Sequence, residues 1–198
     1  MALSVTYPTQ LDFQADRHVA RWRPLVQWLF AIPQLLIVRV LGILRGVLTL
    51  ISFFTVLFTK RIPRPLFDTM AMTFRYEWRA VSYALFLHED YPPFDFHPGA
   101  DDNHADRHSS VTFAYPTELS RWRPFVKWFL AIPHYFVLMA LFVASVFVII
   151  AGFFAVIVTG EYPTGARNFL VAVSRWSLRV QAYVGLLTDT YPPFEIRS

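Results

Sequence analysis

The sequence predicts an all-α integral membrane protein of two tandem homologous helical hairpins, with four transmembrane helices and a small cytoplasmic β-prone region. Three observations lead to this fold class: long apolar stretches, an apolar composition and an internal repeat. The stretch 136–158 contains no charged side chain, and 35–58 is its counterpart. About 20 helical residues cross the roughly 30 Å hydrocarbon core of a bilayer, so each stretch is long enough to span it.

The composition excludes several classes of protein. With 55% hydrophobic and 16% charged residues, the chain is too apolar for an ordinary soluble domain, in which about a quarter of residues are charged. Cysteine is absent, which excludes disulfides, thiolate metal sites and cysteine nucleophiles. The net charge of +4 arises from Lys and Arg beside the apolar segments. The expected counter-charge is therefore anionic lipid headgroups and not nucleic acid.

An internal repeat divides the chain into two similar units at an offset of 100 residues. The segments 21–24 and 121–124 both read Arg-Trp-Arg-Pro, and the segments 91–94 and 191–194 both read Tyr-Pro-Pro-Phe. About 23 of 80 aligned positions are identical, too many at one fixed register for chance, so the chain is a tandem duplication. The predicted domains are a first membrane repeat unit (1–96), a polar linker (97–109) and a second membrane repeat unit (110–198).

Each unit begins with a β-prone entry, 5–13 or 110–115, and an amphipathic helix start, 19–32 or 119–132. Tryptophan with neighbouring basic residues is typical of an anchor at the membrane–water interface. The predicted anchor residues are Arg21, Trp22, Trp28, Arg121, Trp122 and Trp128. A proline follows each start, at positions 33 and 133, and because proline removes a backbone donor it predicts a kink where the chain enters the bilayer.

The second apolar helix of each unit, 66–87 or 166–187, has two possible placements. Each helix carries two arginines one turn apart near its middle, and central arginine is costly in lipid. The helix therefore either returns across the bilayer, giving four spans, or lies in the interface. The arginines in question are Arg75 with Arg79 and Arg175 with Arg179.

A returning second helix would place the hairpin turns on one side of the membrane, and the linker and both termini on the other. Lys and Arg near the predicted spans number seven on the entry side and four in the turns. The positive-inside rule then places the entries, linker and termini in the cytoplasm. The predicted location is the inner, or cytoplasmic, membrane as a multi-pass protein.

The motifs of the two units resemble a bacterial and archaeal membrane family known only as a domain of unknown function, often found in tandem. The second unit matches most fully, with Thr-Gly-Glu-Tyr-Pro at 159–163, Arg-Trp at 175–176 and Leu-Leu-Thr-Asp at 186–189. The first unit departs from the pattern in its turn, with Lys60-Arg61, and before Tyr91. The resemblance implies a bacterial-type inner membrane protein and supplies no activity.

The linker contains the residue types of a metal site. Its histidines and carboxylates are candidate ligands for a divalent cation: His97, Asp102, His104, Asp106 and His108. A solvated polar loop accounts for the same residues, because Pro98, Gly99 and an Asp-rich sequence are ordinary loop components. The prediction is therefore no metal site, and the sequence also predicts no catalytic residue, no cofactor and no enzymatic activity, since it contains no nucleophile elbow or cofactor motif.

Small residues follow one side of the first long helix. Gly42, Gly46, Thr49 and Ser52 share this side at 100° per residue, and the Gly-x-x-x-Gly spacing permits close approach of another helix. Packing against the protein's own helices is the ordinary use of such a side. The functional alternative is a docking face for another subunit or a second copy.

Three charges lie where lipid is expected. Arg39 and Arg45 belong to the first long helix, and Glu77 lies at the middle of the second, at the depth of Arg45 in an antiparallel hairpin. The second unit has Ser145 and Ser177 at the matching positions, so both charges are absent there together. We therefore predict that Glu77 pairs with Arg45, or with Arg39, inside the bilayer.

The function predicted from these features is that of a non-enzymatic accessory or scaffold subunit of a membrane protein assembly. Its expected partners are membrane lipids with anionic headgroups, and other membrane subunits or further copies of the chain. The alternative is a transporter or channel-like protein for a lipid or small solute, because duplicated units and intramembrane charges also occur along transport paths.

Overall fold

A computed structural model describes residues 7–14 and 18–195. The described residues form five helices and two short strands. In chain order these are β1 (Thr9–Phe13), α1 (Arg23–Thr59), α2 (Arg64–Ala84), β2 (Ser109–Phe113), α3 (Arg123–Leu130), α4 (Ile132–Thr159) and α5 (Thr164–Val184). The predicted second helices and strand-prone entries are present within a few residues, except that positions 5 and 6 of the first entry lie outside the described residues.

The long helix of each unit contains a proline near its start, Pro33 or Pro133. In the first unit α1 continues without interruption through Pro33, the position at which the sequence predicts a kink. In the second unit α3 and α4 are separated only by Ala131, which keeps right-handed helical angles (φ −80°, ψ −14°), and Pro133 lies in the first turn of α4. Proline is tolerated in a first turn because the backbone N–H there needs no helical acceptor.

The turn that follows each long helix uses the same backbone device in both units. Lys60 and Gly160 adopt left-handed φ angles of 59° and 76°, and each donates its N–H to the carbonyl of the residue four earlier. A left-handed cap of this kind ends a helix and satisfies a terminal carbonyl. Pro63 or Pro163 then precedes the second helix, which returns along the first as an antiparallel hairpin.

The two units are arranged head to tail. The Val19 N–H donates to the Gly160 carbonyl at 2.9 Å, which joins the start of the first unit to the turn of the second. The Leu119 N–H donates to the Lys60 carbonyl at 2.9 Å, which joins the start of the second unit to the turn of the first. Because α1 has 37 residues and is about 55 Å long, these junctions lie at opposite ends of the molecule.

This arrangement corrects the expected topology. The entries of the two units do not share one end, and the two turns do not share the other. The count of Lys and Arg on an entry side therefore compares residues from both ends and does not define an orientation. Arg17, one of the seven basic residues counted on the entry side, and the C-terminal Ser198 lie outside the described residues.

The units also exchange their strands. β1 and β2 pair antiparallel with Leu11 opposite Val111. β1, from the first unit, packs on α5 of the second, and β2 packs on α2 of the first. Within the described ranges neither strand makes an extensive contact with a long helix, so α2 and α5 form a middle layer between the long helices and the sheet.

The protein core lies in the middle layer, formed by α2 and α5. The burial of these two helices corrects the prediction of four transmembrane helices. The side chains of Phe67, Met70, Tyr76 and Tyr183 are almost fully buried. A helix enclosed by protein in this way presents little surface to lipid. In the part of the chain that the structure describes, only the long helix of each unit, Arg23–Thr59 and Arg123–Thr159, is long and apolar enough to cross a membrane.

Candidate functional site

The outer surface of α1, α3 and α4 is a continuous apolar face. Large side chains at helical spacing are exposed along both long helices, including Leu36 at 64%, Ile43 at 64% and Leu50 at 59% on α1. Only 17% of the most apolar window of each long helix is buried in the protein. A core helix of a soluble protein would be mostly buried, so this face lacks the cover that a folded chain normally gives to apolar side chains.

Exposed tryptophans lie toward both ends of the apolar face. Trp22 and Trp28 are each 55% exposed near the start of α1, while Trp122 and Trp128 are 76% and 60% exposed near the start of the second long helix. Since the units lie head to tail, each end of the molecule carries one pair. The predicted anchor arginine of each unit lies at the same end, where the Arg21 side chain is close to Gly160 and the Arg121 Nη2 donates to the Phe58 carbonyl at 3.5 Å.

The central arginines Arg75, Arg79 and Arg175 donate hydrogen bonds to other parts of the protein. Arg75 Nη1 donates to the Gly99 carbonyl at 2.7 Å, and Arg175 Nη2 donates to the Leu11 carbonyl at 2.9 Å. Arg79 is 2% exposed and donates to Asp95 at 3.0 Å and to Asp102 of the linker at 2.8 Å. These bonds compensate the burial of the guanidinium groups and fasten the linker and β1 onto the two helices.

Buried polar residues of each long helix hold the chain that follows the second helix. Gln27 Nε2 donates to the Tyr83 and His88 carbonyls, and Lys127 Nζ at the matching position donates to the Thr188 carbonyl at 2.6 Å. These contacts are structural. They close each hairpin at the end remote from its turn.

His134 has a similar role about two turns further on. Its Nδ1 accepts a hydrogen bond from Trp176 Nε1 at 3.1 Å, which leaves the ring proton on Nε2, and the ring stacks on Phe194 at 3.9 Å. In the first unit Gln34 occupies this position and donates to the Pro92 carbonyl at 2.9 Å. The polar residue at this position therefore ties the long helix to the rest of its own unit.

Arg45 and Glu77 are in contact at the centre of the molecule. Arg45 Nη1 lies 2.5 Å from Glu77 Oε2, and the two side chains are 17% and 28% exposed. The Arg45 guanidinium also stacks on Phe74 at 4.1 Å and reaches Gln181 Oε1 of the second unit at 3.4 Å. The expected Arg45–Glu77 contact is thus present, and Gln181 extends it across the interface between units. The sequence offered one signal for Gln181, since the first unit has Val81 at the matching position.

The small residues on one side of α1 lie in two different environments. Ser52 is fully buried beside Met70, and the Thr49 hydroxyl donates to the Arg45 carbonyl at 2.9 Å. A Cβ placed on Gly42 or Gly46 would meet nothing within 4 Å. The two glycines therefore border open space, and the expectation that they pack against the protein's own helices is wrong. Close helix packing within the chain occurs instead at Ser52 and at Gly152 of the second unit.

Gly152 is a close-contact position that the sequence analysis missed. A Cβ there would lie 2.7 Å from Tyr162 Cε2, nearer than real Cβ atoms approach. The aligned pair in the first unit is Ser52 and Ile62, so a larger helix residue faces a smaller turn residue there. The sequence signal for this contact is the difference in residue size between the two aligned pairs, Ser52 with Ile62 and Gly152 with Tyr162.

The candidate metal ligands of the linker serve the loop itself. Asp102 accepts from Arg79 and from the Val111 N–H, while Asp106 accepts from the His108 N–H at 2.9 Å. His108 Nε2 lies 2.8 Å from Asp90 Oδ2. Across residues 7–14 and 18–195 no three His, Asp or Glu side chains are grouped as a metal ion would require, and His97 and His104 join no such group.

A cavity of about 180 Å³ lies where the two units meet, lined by side chains of α2, α4, α5 and β1. Glu77, Ser174, Ser177 and Gln181 are polar residues of its lining, and Phe142 lines it from α4. A larger groove of about 520 Å³ between α4 and α5 shares Phe142, Ser177 and Gln181 with it. The groove therefore leads from the apolar face toward the Arg45–Glu77 pair.

The comparisons with known proteins identify the family. A family model described as a domain of unknown function (DUF4389) matches residues 21–95 and 121–195, which together make up most of the chain. The protein belongs to the DUF4389 family. The two matched regions coincide with the two repeat units, so this protein contains two tandem DUF4389 units. The search of curated proteins and the search of solved structures each gave no match.

Proposed function

We propose that this DUF4389 protein is a non-enzymatic accessory or scaffold protein of a bacterial-type cytoplasmic membrane. The observation that carries the proposal is the continuous apolar face of α1, α3 and α4. An apolar surface of this extent is unfavourable in water and is typical of contact with membrane or protein. The exposed tryptophans and arginines at both ends fit the boundary between lipid tails and headgroups.

The accessory role is supported by the open flank of α1 at Gly42 and Gly46. Small residues on a membrane helix allow another helix to approach closely, and the flank borders open space in the single chain. A helix of another membrane protein, or of a second copy, fits this position. The buried polar side chains described above also support a non-enzymatic role, because their hydrogen bonds stabilise the fold.

Membrane attachment is tested by fractionation of cells that express the full chain. We expect the protein in the membrane pellet after washes with high salt and with alkaline carbonate, and in solution only after detergent is added. Recovery in the soluble fraction without detergent would contradict the proposal.

The accessory role is tested by a photo-crosslinking residue at Gly46, with Val47 as the matched control on the lipid-facing side. Val47 is 52% exposed on the apolar face, one residue away. We expect a discrete protein adduct from position 46, with twice the chain mass if the neighbour is a second copy, and mainly lipid adducts from position 47. Lipid adducts alone from both positions would contradict the accessory role and leave membrane attachment standing.

The groove between α4 and α5 is the observation that favours the alternative, a protein that moves a lipid or small solute. It connects the apolar face with polar groups at the centre of the molecule. A transport role predicts that Phe142→Trp, which narrows the shared part of the groove, abolishes movement of a fluorescent phospholipid between leaflets of proteoliposomes. Equal rates for the protein, the variant and empty liposomes would contradict it.

A further inference from the structure

Resting on the proposed membrane attachment, we propose that the protein lies flat in one leaflet of the bilayer. In this placement α1, α3 and α4 run parallel to the membrane plane, their apolar face enters the acyl region, and the sheet and linker face water. The two long helices then do not cross the bilayer, although each is long enough to do so. Helices lying in this way bury their apolar side about 5–10 Å below the headgroups.

The first argument is the position of the sheet. β1 contacts the middle of α5 through Arg175 and Leu11, and the linker contacts the middle of α2 through Arg75. A crossing orientation of the long helices would place these strands at the depth of the hydrocarbon. Exposed polar side chains would accompany them there: Gln10, Asp12, Asp101 and His104. Open strands and polar loops are not found facing lipid at that depth, because lipid cannot satisfy their backbone groups.

The second argument is the position of Arg39. This residue lies near the middle of α1 and is exposed, beside the exposed Leu36 and Val40. In a crossing helix its charge would face lipid tails near the bilayer centre, at a cost that disfavours such sequences. In a flat helix Arg39 lies at the edge of the apolar face, within reach of the headgroup phosphates that attract it.

The third argument is the distribution of charge at the ends. One end of the molecule carries Arg21 and Arg23, and the other carries Lys60, Arg61 and Arg121. A crossing arrangement would place basic clusters on both sides of the membrane, whereas basic residues collect on one side. A flat arrangement places all of them at the same anionic surface.

Single cysteines test this placement without background, because the native chain has none. Thr59→Cys reports the turn of the first unit, Thr164→Cys the turn of the second and Ala105→Cys the linker, and all three positions are exposed. We expect an impermeant maleimide to label all three in inverted membrane vesicles and none in right-side-out vesicles, or the reverse. Labelling of Thr59→Cys and Thr164→Cys from opposite sides would overturn the proposal in favour of antiparallel crossing helices. Labelling of both turns from one side and the linker from the other would overturn it in favour of parallel hairpins.

Depth measurements provide a second, independent test. Leu36, Ile43 and Leu50 lie two turns apart on the same side of α1 and are similarly exposed, so a fluorophore on a cysteine at each position samples about 21 Å of helix. In nanodiscs containing lipids brominated at one known acyl depth, we expect equal quenching at all three positions, strongest for shallow bromines. A quenching depth that changes steadily from one labelled position to the next, by about the distance between them along the helix, would overturn the flat placement.

These outcomes are distinct from failure of the proposed function. A protein absent from the membrane pellet contradicts membrane attachment itself. A protein that is retained in the pellet but labelled from two sides contradicts only the flat placement.

Discussion

Replacing Gly152 by serine tests how closely the turn of the second unit packs against its long helix. A Cβ at this position would lie 2.7 Å from Tyr162 Cε2. The Tyr162 ring is 3% exposed and cannot move away freely. Overpacking of this kind costs about 1–3 kcal/mol, and we expect the free energy of unfolding to fall by that amount.

The first unit provides the compensating change. It has Ser52 and Ile62 at the aligned positions, and both are almost fully buried. Tyr162→Ile alone should also destabilise the protein, because removal of the ring leaves a cavity. The double variant Gly152→Ser with Tyr162→Ile reproduces the pair of the first unit. We expect its loss of stability to be smaller than the sum of the single losses by at least about 1 kcal/mol.

The assay is denaturant-driven unfolding of the purified protein in mild detergent, followed by tryptophan fluorescence. Gly46→Ser is the matched control, because a Cβ there meets nothing within 4 Å and serine has the higher helix propensity. This control should leave stability unchanged or slightly raised. Additive losses in the double variant, or a loss for Gly46→Ser equal to that for Gly152→Ser, would refute the reasoning.

Two further predictions concern charged groups. Arg45→Gln and Glu77→Gln should each lower the free energy of unfolding by about 1–3 kcal/mol, because each leaves a partly buried charge without its partner. The double variant should recover much of this loss. If the loss of the double variant equals the sum of the single losses, the two residues do not stabilise the fold as an ion pair. The hydrogen bond from His108 lowers the pKa of the Asp90 carboxyl below its ordinary value of 3.8. Its ionised form therefore stabilises the fold above that value, and the contribution is lost as the pH falls through the lower, folded-state pKa. Asp90→Asn should cost about 0.5–1 kcal/mol at pH 6 and progressively less below pH 4 in thermal unfolding, and a difference independent of pH would contradict this role.

The helices could be predicted from the sequence because their signals are local. Long apolar runs and the prolines before each second helix indicate where helices lie and begin, whereas each second helix ends at Ala84 or Val184, several residues before the paired prolines. The Arg45–Glu77 contact was also predictable, because the two charges are absent together from the second unit. Both inferences compare residues within one hairpin, whose geometry follows from a short turn.

The relation between the two units could not be predicted in the same way. A repeat shows that two units have similar folds, but it does not specify the rotation that relates them. The hydrogen bonds at Val19 and Leu119 that determine the head-to-tail arrangement use backbone atoms, which leave no signature in the sequence. Because the sequence does not show that arrangement, it predicts a cost in lipid for the arginines of the middle layer, although Arg75 and Arg175 bind carbonyls of the linker and of β1.

The strand exchange makes each unit depend on the other for a strand. Because β1 completes the second unit and β2 completes the first, one unit by itself lacks a strand for its own middle helix. Two separate copies of such a unit could supply that strand to each other around a two-fold axis, as in a domain-swapped homodimer. The 198-residue chain is equivalent to such a dimer joined into one polypeptide. Within one polypeptide the two halves need not be identical, and they differ at the centre of the molecule, where the first has Arg45 and Glu77 and the second has Ser145 and Ser177.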